Sequence, residues 1–85
     1  MRVTIPSPLL SYTGRREVDA MGTTVDEVLR DLDRQFPGIR FRMVDEQDRL
    51  RAHMRVFVDA DEARDLGTRL AASATLHIVQ ALSGG

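Results

Sequence analysis

The chain of 85 residues ends in Gly84 and Gly85, so its last reactive group is a carboxylate on backbone without side chains. A carboxylate is a poor electrophile at neutral pH. It becomes reactive when its oxygen attacks the α-phosphate of ATP and forms an acyl-adenylate. Glycine lacks Cβ and tolerates φ values closed to other residues. A Gly-Gly end can therefore thread a narrow channel and set its carboxyl beside a nucleotide, where a side chain at position 85 would crowd the reacting centre. Other residues offer little chemistry. There is no Cys, hence no thiolate nucleophile, disulfide or thiolate metal site. His53 and His77 are the only imidazoles, and neither stands in an HxH or HExxH spacing; surface or interface placement is expected for both. No Gly-rich loop joins a strand to a helix, so phosphate cradling is not indicated. Asp45 and Asp48 lie in an Arg-rich stretch, where an acid/base dyad is not expected. The chain reads as a substrate of an ATP-using enzyme rather than as such an enzyme.

The elements that must present this end are short. Met1 to Ile5 alternates, with Val3 and Ile5 on one face, and Pro6 and Pro8 end that strand. Leu9 and Leu10 return to the core, Ser11–Gly14 reads as a turn, and Glu17–Ala20 as a second strand in a hairpin with the first. Tyr12 in that turn has no assigned role. Val25, Val28, Leu29, Leu32 and Phe36 fall on one face of a helix. Thr24 and Glu27 fit a capping box at its start, and Pro37-Gly38 stops it. Residues 38–52 are expected to be a surface segment, a short helical turn or a packed loop anchored by Ile39, Met43 and Leu50, with a docking patch for an enzyme partner as the alternative reading. In it Asp45, Glu46 and Asp48 would pair locally with Arg40, Arg42, Arg49 and Arg51. A strand over His53–Asp59 puts Met54, Val56 and Val58 on one face, and a turn at Ala60–Glu62 follows. Residues 63–70 form a weak strand and loop with Leu66 and Leu70 inward. The last strand, Thr75–Leu82, points Leu76 and Ile78 one way and His77, Val79 and Ala81 the other. The layer rule then sets one main helix over one face of a sheet whose terminal strands are central. The fold class expected is α+β, with a mixed four- to five-stranded sheet. The domain is expected over residues 1–82, with 83–85 as a flexible Ser-Gly-Gly tail.

Composition agrees with one small globular domain: 42% hydrophobic and 29% charged residues, with a formal net charge of −1. That balance argues against a nucleic-acid binder, which usually shows a basic excess. All 12 basic residues are Arg, so no lysine amine is available to accept an isopeptide bond. No apolar run approaches the ~20 residues of a membrane span, and no apolar signal core opens the chain. A cytoplasmic location, with no membrane partner, is the expectation.

The opening V-T-I-P, the S-Y-T-G of Ser11–Gly14, the helix Thr24–Phe36 before Pro37-Gly38, R-V-F-V-D at Arg55–Asp59 and I-V-Q-A-L-S-G-G at Ile78–Gly85 together resemble the ubiquitin-like sulfur carriers of the MoaD/ThiS type. The resemblance spans nearly the whole chain, and the ending is its most specific part. Where many members carry a D-G-D-like turn before the last strand, this chain has Ala72-Ser73-Ala74. The resemblance implies a β-grasp fold and a carrier that is not itself a catalyst, binds no cofactor and is a monomer when free. It implies that Gly85, with Gly84, is adenylated at the expense of ATP by a separate activating enzyme. A sulfur donor then replaces AMP, leaving a C-terminal thiocarboxylate for a downstream synthase or sulfur acceptor enzyme. It also implies that the sheet face opposite the helix meets those partners together with the tail, through Phe57, His77, Val79, Ala81, Leu82 and Ser83. The Thr13-Gly14 turn and the A-L-S-G-G ending look most like the cysteine-pathway carriers. The alternatives are the small subunit of molybdopterin synthase, the thiamine carrier, and a ubiquitin-like modifier joined to target lysines.

Overall fold

Alternation around Val3 produces the first strand. In the computed structural model, which describes residues 1–81, β1 (Arg2–Thr4) pairs antiparallel with β2 (Glu17–Asp19), and the expected hairpin forms. Its connection is more ordered than a turn. After Pro6 a 3-10 turn spans Ser7–Leu9, and a short helix α1 (Leu10–Thr13) closes on Gly14 at φ 68°. The turn expected at Ser11–Gly14 is thus the last turn of a helix, stopped by a glycine in the left-handed conformation. Leu9 is buried, and half-buried Tyr12 packs against the core, which gives that residue a structural role.

The main helix α2 spans Val25–Gln35, and Val25, Val28, Leu29 and Leu32 are fully buried. The Thr24 hydroxyl accepts a hydrogen bond from the Glu27 N–H at 3.2 Å, as a cap should. The Glu27 carboxylate does not return to Thr24. It accepts instead from the Thr23 N–H at 2.7 Å and the Thr23 hydroxyl at 2.8 Å, one residue earlier than a capping box. Gly38, at φ 96°, turns the chain into a second short helix, α3 (Ile39–Met43), whose Ile39 and Met43 are fully buried.

Three strands complete the sheet: β3 (Met54–Val58), β4 (Asp61–Ala63) and β5 (Thr75–Gln80). The order is β2-β1-β5-β3-β4, with β1 and β5 parallel and the other neighbours antiparallel. The turn expected at Ala60–Glu62 is instead Asp59-Ala60, and Asp61 already pairs with Val58. Asp59 tolerates φ 54° there. Its carboxylate accepts from the Thr75 N–H at 3.0 Å while its own N–H donates to the Thr75 carbonyl at 2.9 Å, so this turn also fixes the start of β5. One face of the sheet, carrying Val3, Met54, Val56, Leu76 and Ile78, shares a single core with α2 and α3.

Candidate functional site

The strand that leads to the tail is held on both sides. Along β1 the register is Arg2 with Thr75, Val3 with Leu76 and Thr4 with His77. Along β3 it runs from Val58 with Leu76 to Met54 with Gln80. Beyond β5 the Ala81 N–H donates to the His53 carbonyl at 2.7 Å, which anchors the chain through Ala81. Leu82, Ser83, Gly84 and Gly85 lie outside the described residues.

The outward face of the same strand brings together four of the residues singled out in the sequence. His77 lies between Thr4 on β1 and Phe57 on β3, Val79 is opposite Arg55, and Ala81 adjoins His53. Val79 is 40% exposed, whereas Phe57, His77 and Ala81 are half-buried. His77 Nδ1 and Thr4 Oγ1 are 3.0 Å apart, which fixes the imidazole on the sheet. Arg55 pairs with Glu62 at 3.3 Å beside Phe57, so the apolar strip has a polar border. Ile39 and Met43 bury themselves on the helix side, and α3 leaves Val79 open to solvent. A central strand running into the tail, flanked by a small apolar strip on the open face, can offer a terminal carboxylate and a contact surface in one approach.

The ThiS family model matches residues 3–85. The chain belongs to the ThiS family. Its curated relatives include the sulfur carrier protein CysO of Mycobacterium tuberculosis, 30% identical over 98% of this chain and 96% of that protein. Among solved structures, the complex of BexX and CysO from Amycolatopsis orientalis contains a chain with TM-score 0.91 and 33% identity, covering 99% of this chain and 98% of that one. CysO of M. tuberculosis has TM-score 0.89 and 29% identity, covering 95% and 98%. The small archaeal modifier SAMP1 of Haloferax volcanii has TM-score 0.79 and 28% identity, covering 100% and 98%. The fold is therefore the β-grasp, and ThiS-family membership sets the chain among the small ubiquitin-like sulfur carriers, which are carriers and not catalytic enzymes.

In this ThiS-family chain the charges of residues 38–52 do not pair as expected. Only Arg40 pairs within the segment, with Asp48 at 3.4 Å, and its nearer partner is Asp26 of α2 at 2.8 Å. Arg42, Arg49 and Arg51 make no ion pair among the described residues. Asp45 of this segment and Asp33 of α2 are occupied by backbone instead. Asp45 accepts from the N–H groups of Gln47 and Arg49, and Asp33 accepts from those of Gly38 and Arg40. The Arg49 N–H is the main cause holding the Asp45 carboxyl below its ordinary value. Burial pushes Asp26 up, but hydrogen bonds from Arg30 and Arg40 outweigh it and leave that carboxyl lowered. The described residues contain no group of three or more His, Asp or Glu side chains able to hold a metal ion, and no helix long and apolar enough to cross a membrane. Arg55 shares the outward face with Phe57 as the alternation of β3 requires; Thr4 follows from the same alternation in β1, whereas Glu62 fell in the segment expected to be a turn and its place opposite Phe57 was not legible.

Proposed function

We propose that this chain is a sulfur carrier of the cysteine-pathway type that works through the carboxylate of Gly85. An activating enzyme of the ubiquitin-activating type presents ATP. A carboxylate oxygen of Gly85 attacks the α-phosphorus, pyrophosphate leaves, and the carboxyl becomes an acyl-adenylate. Sulfur at the sulfide level, brought by a donor, attacks the carbonyl carbon and AMP leaves. The resulting thiocarboxylate is a nucleophile made from the terminus, so no side-chain nucleophile is required. A downstream acceptor enzyme takes the sulfur. The carrier binds no cofactor of its own, and the cytoplasm, where ATP is at hand, is its working place. Phe57, His77, Val79 and Ala81, with Leu82 and Ser83, form the surface that meets these enzymes, and Gly84 gives the carboxyl clearance.

The observation that carries this reading is the family match extending through Gly85 itself, with the 30% likeness to a named sulfur carrier in support. ATP–pyrophosphate exchange by the cognate activating enzyme tests it. The wild-type chain should support exchange. Gly85→Ala should slow it on the order of 100-fold by misplacing the reacting carboxyl. Removal of Gly84-Gly85 should abolish it without changing the thermal melt. Full activity in the chain lacking both glycines would contradict the reading. The likeness to SAMP1, 28% identical, favours a second reading as a protein modifier, for which peptide digests would show Gly85 joined to target lysines. The carrier reading ranks first because 30% identity to CysO covers 98% of the chain.

A further inference from the structure

One solvent-facing cluster lies outside the apolar strip. Phe41 sits midway between the buried Ile39 and Met43 on α3 and is therefore turned outward, 58% exposed. With Arg42, Arg51, His53 and Gln80 it lines one shallow recess. The Arg51 guanidinium stacks on the Phe41 ring at 4.7 Å from its centroid, and Arg51 Nε donates to the Phe41 carbonyl at 2.8 Å. That guanidinium is held in one pose and, among the described residues, has no carboxylate within ion-pair distance, although its charge helps to lower the Asp45 carboxyl. Arg42 adds a second cation with no acidic partner among the described residues. Two acids of the same segment are engaged elsewhere, Asp45 on backbone N–H groups and Asp48 on Arg40.

We propose that Phe41, Arg42, Arg51 and His53 form a docking recess for an acidic, aromatic-bearing segment of the protein that receives the tail. A guanidinium fork matches a carboxylate with two parallel hydrogen bonds, and a fork already fixed by stacking loses less freedom when it binds. The exposed Phe41 ring offers an apolar contact beside it. Position supplies the link to the tail. Gln80 ends β5 and lines the recess, and the Ala81 N–H is bonded to the carbonyl of His53. Gly85 is five residues beyond Gln80, a reach of at most about 17 Å even when fully extended. Any protein that grips the carboxyl of Gly85 thus comes within about 17 Å of Gln80 at the edge of this recess. The net charge of −1 argues against a nucleic acid as occupant. The proposal rests on the carrier reading for the identity of the partner, and goes beyond it in naming a second contact and its chemistry.

Two measurements test it. First, isotope-labelled carrier is titrated with a synthetic Asp/Glu-rich peptide containing one tyrosine. Amide shifts should be confined to residues 41–53 and Gln80. They should vanish in the double variant Arg42→Glu, Arg51→Glu and persist in Arg15→Glu at the far edge of the sheet. Absent shifts, shifts indifferent to the double variant, or tighter binding of a single-stranded oligonucleotide at the same residues would each overturn the proposal. Second, in pyrophosphate exchange the double variant should raise the KM for the carrier roughly tenfold, leave kcat unchanged and blunt the salt dependence, as expected for charges at an interface rim. An unchanged KM in an enzyme that does adenylate wild-type carrier would overturn the docking site and leave the carrier function standing. If wild-type carrier is not adenylated at all, the carrier function fails, and the peptide titration still decides the recess.

Discussion

The two faces of β5 differ by one residue in sequence and by their whole role in the molecule. Leu76 and Ile78 point under α2 into a core closed to solvent, while His77 and Val79 point to a face that no helix among the described residues covers. The inward face holds the fold together by burial. The outward face keeps apolar surface partly exposed at a cost in hydration, and it is the surface proposed above to meet the partner enzymes. The tail follows directly from the strand that divides them.

Substitutions on either side of this divide should separate stability from function. Leu76→Ala should cost about 2–5 kcal/mol, the range for deleting a buried leucine side chain, read as a shifted denaturation midpoint with the same slope. On the helix side but nearer its rim, Arg40→Ala removes the guanidinium shared by Asp26 and Asp48, and should cost about 1–3 kcal/mol. Thr24→Ala, which removes the N-cap of α2, should cost about 1 kcal/mol in the same assay. On the open face, Val79→Ala should move stability by less than about 0.5 kcal/mol. Phe57→Asp should keep the fold yet weaken activation, raising the KM for the carrier in exchange kinetics; an unchanged rate profile would remove the open face from the account.

Acid provides a gentler probe of the helix side. Hydrogen bonds from the Thr23 N–H and hydroxyl lower the Glu27 carboxyl, and the Arg34 side chain followed by the Met21 N–H lowers that of Asp31. Asp26 is lowered as well, its arginine partners prevailing over burial. A carboxyl lowered in the folded state adds stability above its unfolded value, and that stability is lost as pH falls through the folded value. Denaturation midpoints should therefore hold steady from neutrality down to about pH 5 and decline below the ordinary carboxylate range near pH 4. A midpoint that rises in that acid window would contradict these assignments.

The helix α2 was legible because five apolar residues kept one spacing and Thr24 marked its start. The face of β3 and β5 was legible because strict alternation leaves no second register. Two short elements were hidden for a physical reason. β4 has three residues with only Ala63 turned inward, and α1 has four, too few for either period to declare itself. The pairing of Arg40, Arg42, Arg49 and Arg51 could not be read locally, since Arg40 finds Asp26 on a different helix while Asp45 is spent on its own hairpin. Phe41 was hidden among those arginines, although its place between Ile39 and Met43 already set it on the far side of a helical turn.

The central claim is that the Gly85 carboxyl is the atom group that carries sulfur. Intact-mass measurement of the protein incubated with its activating enzyme, ATP and a sulfide source tests it most directly. A species heavier by the difference between one sulfur and one oxygen atom, localised to the C-terminal peptide and absent without ATP, is the expected result. An unchanged mass under conditions in which the enzyme adenylates another carrier would contradict the account.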